Sequence, residues 1–217
     1  MVSASSVALH IAAISAMTYG YNALHGLPIN AWIDTQYGGH FQFLTIQGLA
    51  VAWLTMVFGL LEDIFSLKTF RAIKRGLLIV ALPTATIVSS IYWTLLLGAP
   101  HLIVQKMPVG SGETPMMLPL RIDLALHAVP GLALLSDFMI FERRYGRNAI
   151  QFLAPALTSI CTLWYGWWVE LCASKNGTFP YPFLTLNPFD IRLRIYAAAG
   201  IVACLSFYTL NALHPRP

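Results

Sequence analysis

Residues 37–63, YGGHFQFLTIQGLAVAWLTMVFGLLED, run from a double-glycine turn into a stretch with no acidic or basic side chain between His40 and Glu62. An α-helix rises about 1.5 Å per residue, so roughly 20 apolar residues cross a hydrocarbon core about 30 Å thick. The stretch is too long for a buried strand and lacks the charged face of a helix at a water-facing surface. It predicts a membrane span over about 42–63. One polar residue, Thr45, stands one turn inside that span and raises the question of what it does there.

The same pattern recurs along the chain. Apolar runs at about 5–25, 77–98, 120–141, 151–174 and 193–213 bring the predicted spans to six, within one domain over 1–217. The breaks between them carry turn residues, such as HGLPIN at 25–30, MPVGSGETP at 107–115 and NGTFPYP at 176–182. Composition agrees: of 217 residues, 57% are hydrophobic and 10% charged, whereas a soluble domain carries about 25% charge. Mean hydropathy is +0.66. So few charges cannot cover a water-facing surface, and the expected fold is an all-α membrane protein, a bundle of six transmembrane helices with short loops. Pro83, Pro130 and Pro155 fall inside the runs and predict kinks.

Charge sets the expected orientation. No Lys or Arg precedes Lys68, so the first run lacks the basic start of a signal peptide and reads as a retained span. Lys68, Arg71, Lys74 and Arg75 follow the second span, and Arg143, Arg144 and Arg147 follow the fourth. The positive-inside rule puts both groups, and with six spans both termini, in the cytoplasm. Loops 26–41, 99–119 and 175–192 then face the lumen or exterior, in the endoplasmic reticulum, another endomembrane or the plasma membrane. Asn176-Gly177-Thr178 is a glycosylation sequon on that face. The net charge of +4 follows from the cytoplasmic anchors, and without a basic patch interleaved with aromatics it points to no nucleic acid.

Other chemistries leave no motif. Cys161, Cys172 and Cys204 have no metal-ligand spacing and read as small apolar residues. His10, His25, His40, His101 and His214 are terminal, loop or lone residues, not a metal cluster. HExxH, GxSxG and a phosphate loop are absent from the sequence, and Gly110-Ser111-Gly112 reads as a flexible loop.

Ionisable groups inside a membrane are costly and are functional candidates by default. His127 lies about two turns into the fourth span, with Asp123 four residues earlier on the same helical face. Asp137 reads as a helix-end charge near Arg143 and Arg144. The second and fourth spans enter from the same side, which places Thr45 and His127 within about 5 Å of one another in depth. A hydroxyl is a poor nucleophile until a base takes its proton, and histidine suits that task near neutrality. Equally, Thr45 resembles Thr55, Thr86, Thr94, Thr158 and Thr162, which in a helix bond back to their own backbone. Asp123 is either an orienting partner for His127 or an interfacial charge beside Arg121 or Arg192.

Three segments carry a resemblance. Tyr37-Gly38-Gly39 with Phe43-Leu44-Thr45, then His127 with an acidic residue ten positions on, then Trp164-Tyr165-Gly166-Trp167-Trp168 followed by Tyr181-Pro182-Phe183-Leu184, run in order over about 37–190. Together they resemble the androgen-induced protein family, and six spans match its architecture.

The resemblance implies an integral-membrane threonine hydrolase acting on fatty acid esters of hydroxy fatty acids, with Thr45 as nucleophile and His127 as its histidine partner. It implies a long-chain lipid ester as substrate, membrane lipids as surroundings, and neither cofactor nor metal. Asp123 is then the candidate orienting residue, as in a triad. Trp164, Trp167, Trp168 and Phe183 are candidates to wall the acyl chain, the tryptophans alternatively serving as interfacial anchors. Gln47 and the 99–119 loop are places to seek oxyanion donors. The competing expectation is a non-catalytic six-span transporter or scaffold, though no half-to-half similarity is present.

Overall fold

The computed structural model describes residues 3–109, 112–115 and 117–215. The opening stretch forms helix α3, Leu44–Phe65. It is entered through Gly38 and Gly39, whose φ angles of 87° and 48° lie in the left-handed region where only glycine is unstrained. A Cβ on Gly38 would stand 2.7 Å from the Cys172 sulfur, so the turn packs directly on a neighbouring helix. Asn176 clamps it there: its side chain accepts from the Tyr37 N–H at 2.7 Å and donates to the Tyr37 carbonyl at 3.1 Å. The sequon amide is a structural fastener of the YGG turn.

Helix α1 covers Ala4–Leu24 and α4 covers Lys68–Gly98, with a short α2, Pro28–Asp34, in the first connection. Only Ser66 and Leu67 separate α3 from α4, and the Ser66 N–H caps α3 on Glu62 O at 2.7 Å. The charged segment 68–75 is therefore not a loop but the first two turns of α4. Its basic side chains are good helix formers, and they find partners close by: Arg71 pairs with Glu62 at 2.5 Å and Arg75 with Glu142 at 2.6 Å.

The fourth run is a broken helix. α5, Leu120–His127, and α6, Val129–Ser136 continued by a π-helical turn at Asp137–Phe141, meet at an angle of 41°. Pro130 has no N–H to donate to the turn before it, which breaks the ladder. Ser89 of α4 repairs the junction by donating to the His127 carbonyl at 2.6 Å. Gly131 makes the approach workable, since a Cβ there would stand 3.1 Å from Ser89 Oγ. Helix α7, Ala154–Asn176, follows a π-helical turn at Ala149–Leu153; a short α8, Pro182–Thr185, and α9, Phe189–Leu213, complete the chain.

Among the described residues the fold is all-helical but for one short hairpin, which leaves the all-α class unchanged. Strands β1, Lys106–Val109, and β2, Gly112–Pro115, pair antiparallel in the connection before α5. Gly110 and Ser111 of the expected flexible loop lie outside the described residues.

Among the described residues three helices, α3, α4 and α9, are long and apolar enough to cross a membrane, and α5 with α6 make a fourth when counted as one bent span. Helices α1 and α7 have the length, 21 and 23 residues, but Ser5, Ser6 and His10 in one and Glu170, Ser174 and Lys175 in the other dilute their apolar character. In the most apolar window of α3, 44% of residues are buried, against 11% in α9. α3 thus sits centrally and α9 at the periphery. Leu54, Leu97, Leu132, Leu163, Ile201 and Leu205 point outward from several helices, a surface suited to lipid and not to water. Met17, Met56, Leu78, Leu82, Leu134 and Phe138 fill the core. Close crossing depends on small residues, as at Gly20, where a Cβ would stand 2.8 Å from that of Ala125.

The end of the bundle away from Thr45 is tied by buried charges. His10 Nδ1 lies 2.8 Å from Asp63 and its Nε2 3.0 Å from Asp137, while Lys74 Nζ lies 2.9 Å from both Asp137 and Glu142. Asp137 is thus paired with His10 and Lys74 and not with Arg143 or Arg144, and His10 is a central residue and not a lone one. The fold brings four separate segments to one point, which spacing along the chain does not reveal.

Candidate active site

Thr45 is the second residue of α3. The first N–H groups of a helix have no partner within it and form the positive end of its dipole. Here the Thr45 N–H faces the Tyr181 hydroxyl at 3.5 Å. That hydroxyl also lies beside the Thr45 side chain and the Tyr165 hydroxyl.

His127 closes α5, where the bend at Ala128 leaves its ring beside α3. Its Nδ1–H donates to Asp123 Oδ1 at 2.7 Å, one turn earlier. A carboxylate only accepts, so this bond assigns the proton to Nδ1 and leaves the lone pair on Nε2. Nε2 faces Thr45 Oγ1 at 3.4 Å. Tyr92 fixes the ring from one side, stacked with centroids 3.4 Å apart and planes 2° from parallel, and its hydroxyl reaches Asp123. Thr45, Asp123 and His127 are 9%, 5% and 5% exposed. Asp123 is paired with His127 and not with Arg121 or Arg192, the latter being held by Glu170 at 2.7 Å.

A hydroxyl, a ring nitrogen with its lone pair toward it, and a carboxylate on the other nitrogen are the set of groups that acyl transfer requires as nucleophile, base and orienting group. The separation of 3.4 Å is long for a hydrogen bond; such contacts shorten once substrate is bound. The Tyr181 hydroxyl and the Thr45 N–H that it faces stand beside Thr45 Oγ1 and are the polar groups that could meet a carbonyl oxygen there, whereas the Ile46 and Gln47 N–H groups are taken by the Phe43 carbonyl. Gln47 does not serve there, because its amide donates to the Phe41 carbonyl at 2.8 Å.

Two cavities meet at Thr45. The first, partly open to the outside, runs among α4, α7 and α9 past Pro83, Ile87, Tyr165, Phe183 and Ile195. The second is lined by His127, Asp123, His40, Gln105, Phe43 and Leu118. Thr45, Tyr92, Ile103 and Tyr181 belong to both. In the second cavity burial, and then the neighbouring His25, hold the His40 ring below the ordinary imidazole range. Gln105 donates to the Pro180 carbonyl. No group of three or more His, Cys, Asp or Glu among the described residues is arranged to hold a metal ion.

The aromatic candidates divide. Phe183 lines the first cavity, whereas Trp164, Trp167 and Trp168 line neither. Trp164 and Trp167 are 52% and 56% exposed, and the Trp168 indole donates to the Phe41 carbonyl at 2.9 Å. Positions i, i+3 and i+4 share a helical face, and in α7 that face points outward while Tyr165 turns inward. Sequence reasoning missed Tyr92, Tyr165, Tyr181 and Ser89. Tyr165 lies in the Trp164–Trp168 segment and Tyr181 at the head of the YPFL loop, both noted as motifs without a role for the tyrosine; Tyr92 and Ser89 have no distinguishing spacing.

The FAR-17a/AIG1-like protein family matches this chain over residues 5–215. A UPF0641 membrane protein of Schizosaccharomyces pombe is 30% identical over 215 residues, covering 97% of this chain and 91% of that one. No solved structure matches the chain. With its apolar helices and its match over nearly the whole length, the chain is a membrane protein that belongs to the FAR-17a/AIG1-like family.

Proposed function

We propose that the protein is an intramembrane lipid ester hydrolase in which Thr45 is the nucleophile, His127 the general base and acid, and Asp123 the group that orients the imidazole. The observation that carries this reading is the Thr45 Oγ1 to His127 Nε2 approach of 3.4 Å at the junction of two cavities, with Nδ1 already committed to Asp123 at 2.7 Å. The family resemblance adds the substrate: fatty acid esters of hydroxy fatty acids, entering from the lipid phase. Tyr181 and the Thr45 N–H stabilise the oxyanion. The chain crosses an endomembrane or plasma membrane six times, α1 and α7 included, with both termini cytoplasmic and the Thr45 end of the bundle lumenal or external.

A fluorophosphonate probe tests the chemistry. The full-length protein in membranes is expected to be labelled, and Thr45→Ala and His127→Ala to insert normally but lose the label. Label retained in Thr45→Ala places the nucleophile elsewhere; an unlabelled wild type favours a non-catalytic scaffold or transporter. For orientation, a tag at Ser66–Leu67 is expected to be shielded from outside and one in the connection at 105–115 to be reachable, and the reverse pattern overturns the topology.

A further inference from the structure

Resting on the hydrolase reading above, we infer that the two cavities bind different halves of the ester. The cavity among α4, α7 and α9 holds the acyl chain and measures its length, and the cavity lined by His127 holds the alcohol half and admits water.

The assignment follows from where protons must go. Thr45 Oγ bonds to the carbonyl carbon as its proton passes to His127 Nε2 and the carbonyl electron pair moves onto oxygen. When the pair returns, the bond to the alkoxy oxygen breaks, and that oxygen takes the proton from Nε2. The departing oxygen must therefore lie on the His127 side, and the acyl group, now joined to Thr45, on the other. Water then approaches from the His127 side, gives its proton to Nε2 and adds to the acyl carbon. The Thr45 oxygen leaves and recovers that proton, and the free acid departs. This is general base and then general acid catalysis by one imidazole.

The walls match the two roles. His127, Asp123, His40 and Gln105 line the second cavity, a setting for an alcohol bearing a polar group and for water. The first cavity contains Thr45 but not His127, and apart from hydroxyls and the Cys161 thiol its walls are hydrocarbon. It is lined along α4 from Tyr92 to Val80, which at the helical rise is about 18 Å. That is the depth of one bilayer leaflet, about 15 Å of hydrocarbon, and so the reach of a long unbranched acyl chain. Ala199, Gly200 and Ala203 keep the α9 wall low over about 6 Å of that length.

The test keeps the leaving group constant and varies the chain. p-Nitrophenyl esters from butanoate to octadecanoate are assayed with the full-length protein, Val88→Phe and Val80→Phe, and kcat/KM for each chain is divided by that for butanoate. Val88 lies about 6 Å along α4 from Tyr92, and Val80 about 18 Å. Val88→Phe is expected to lower the ratio roughly tenfold or more from medium chains upward, and Val80→Phe only for the longest. Profiles unchanged in both variants, a cut-off in Val80→Phe at shorter chains than in Val88→Phe, or equal loss at every length in both would overturn the assignment. Fluorophosphonate labelling of wild type against Thr45→Ala separates the two levels. If Thr45-dependent labelling is absent, the hydrolase reading itself fails; if it is present and the profiles do not move, only the acyl arm fails.

Discussion

Two buried histidines sit at opposite ends of the bundle, about 27 Å apart along α3 as measured by the residues they meet there, Thr45 and Asp63. Each contacts a carboxylate through Nδ1, at 2.7 Å for His127 and 2.8 Å for His10. They differ at Nε2. That of His127 faces a hydroxyl at the junction of two cavities, whereas that of His10 faces a second carboxylate, Asp137, at 3.0 Å. Both ring nitrogens of His10 are thus engaged by carboxylates and neither faces a hydroxyl. His10, Lys74 and Arg75 are set against Asp63, Asp137 and Glu142. Gly59 closes the space over the ring, since a Cβ there would stand 2.5 Å from His10 Nε2. One end of the molecule sets a histidine against a hydroxyl with room beside it, the geometry on which the proposed hydrolase rests; the other sets a histidine between carboxylates without room.

The contrast can be broken by mutation. The largest expected effect is at the nitrogen that faces the hydroxyl: Thr45→Ala or His127→Ala lowers ester hydrolysis by a factor on the order of 10⁶ with little change in thermal stability. Asp123→Asn leaves the ring in place but no longer selects the tautomer, and hydrolysis falls roughly 10⁴-fold. At the other end the signature inverts. His10→Ala or Lys74→Met leaves buried charges unpaired and costs about 3–5 kcal/mol, read as a lower melting temperature in detergent, with activity per folded molecule retained. If His10→Ala abolished turnover in a protein of normal stability, the division between the two ends would fall.

The smallest effect concerns acid. Burial alone would push the Glu142 carboxyl up, but Lys74 and Arg75 outweigh it and hold the group below the ordinary range. A depressed native value stabilises the protein above the unfolded value of about 4.3, and that stabilisation is lost as pH falls through the native value. Melting temperature is therefore expected to fall on acidification from about pH 5 to about pH 3 more steeply in wild type than in Glu142→Gln. Parallel curves would mean that the carboxylate contributes nothing to the stability of that end.

Much of this was legible in the chain. Thr45 and His127 could be matched in depth because each is a short count of residues from the same face of its span, and Asp123 could be placed one turn from His127 because helical spacing is fixed. The rotation of each helix about its own axis could not be counted. That rotation turns Trp164, Trp167 and Trp168 away from the cavities and Tyr165 toward them. Tyr181 reaches Thr45 from 136 residues away, through a loop whose path follows no periodic pattern. Asp137 was assigned to nearby arginines because proximity along the chain was the only guide, while its partners come from α1 and α4.

The sequence by itself determined the solvent: a chain with 57% hydrophobic and 10% charged residues must form apolar helices whose backbone groups are satisfied internally. It also determined how deep along each run every polar side chain would lie. Only the tertiary structure decided which of those side chains meet, because contact depends on helix rotation, on the bend that Pro130 introduces at Ala128 and on loops that fold back over the bundle. The same residue type meets two carboxylates at position 10 and a carboxylate and a hydroxyl at position 127 for that reason: chemistry belongs to the neighbours that packing supplies.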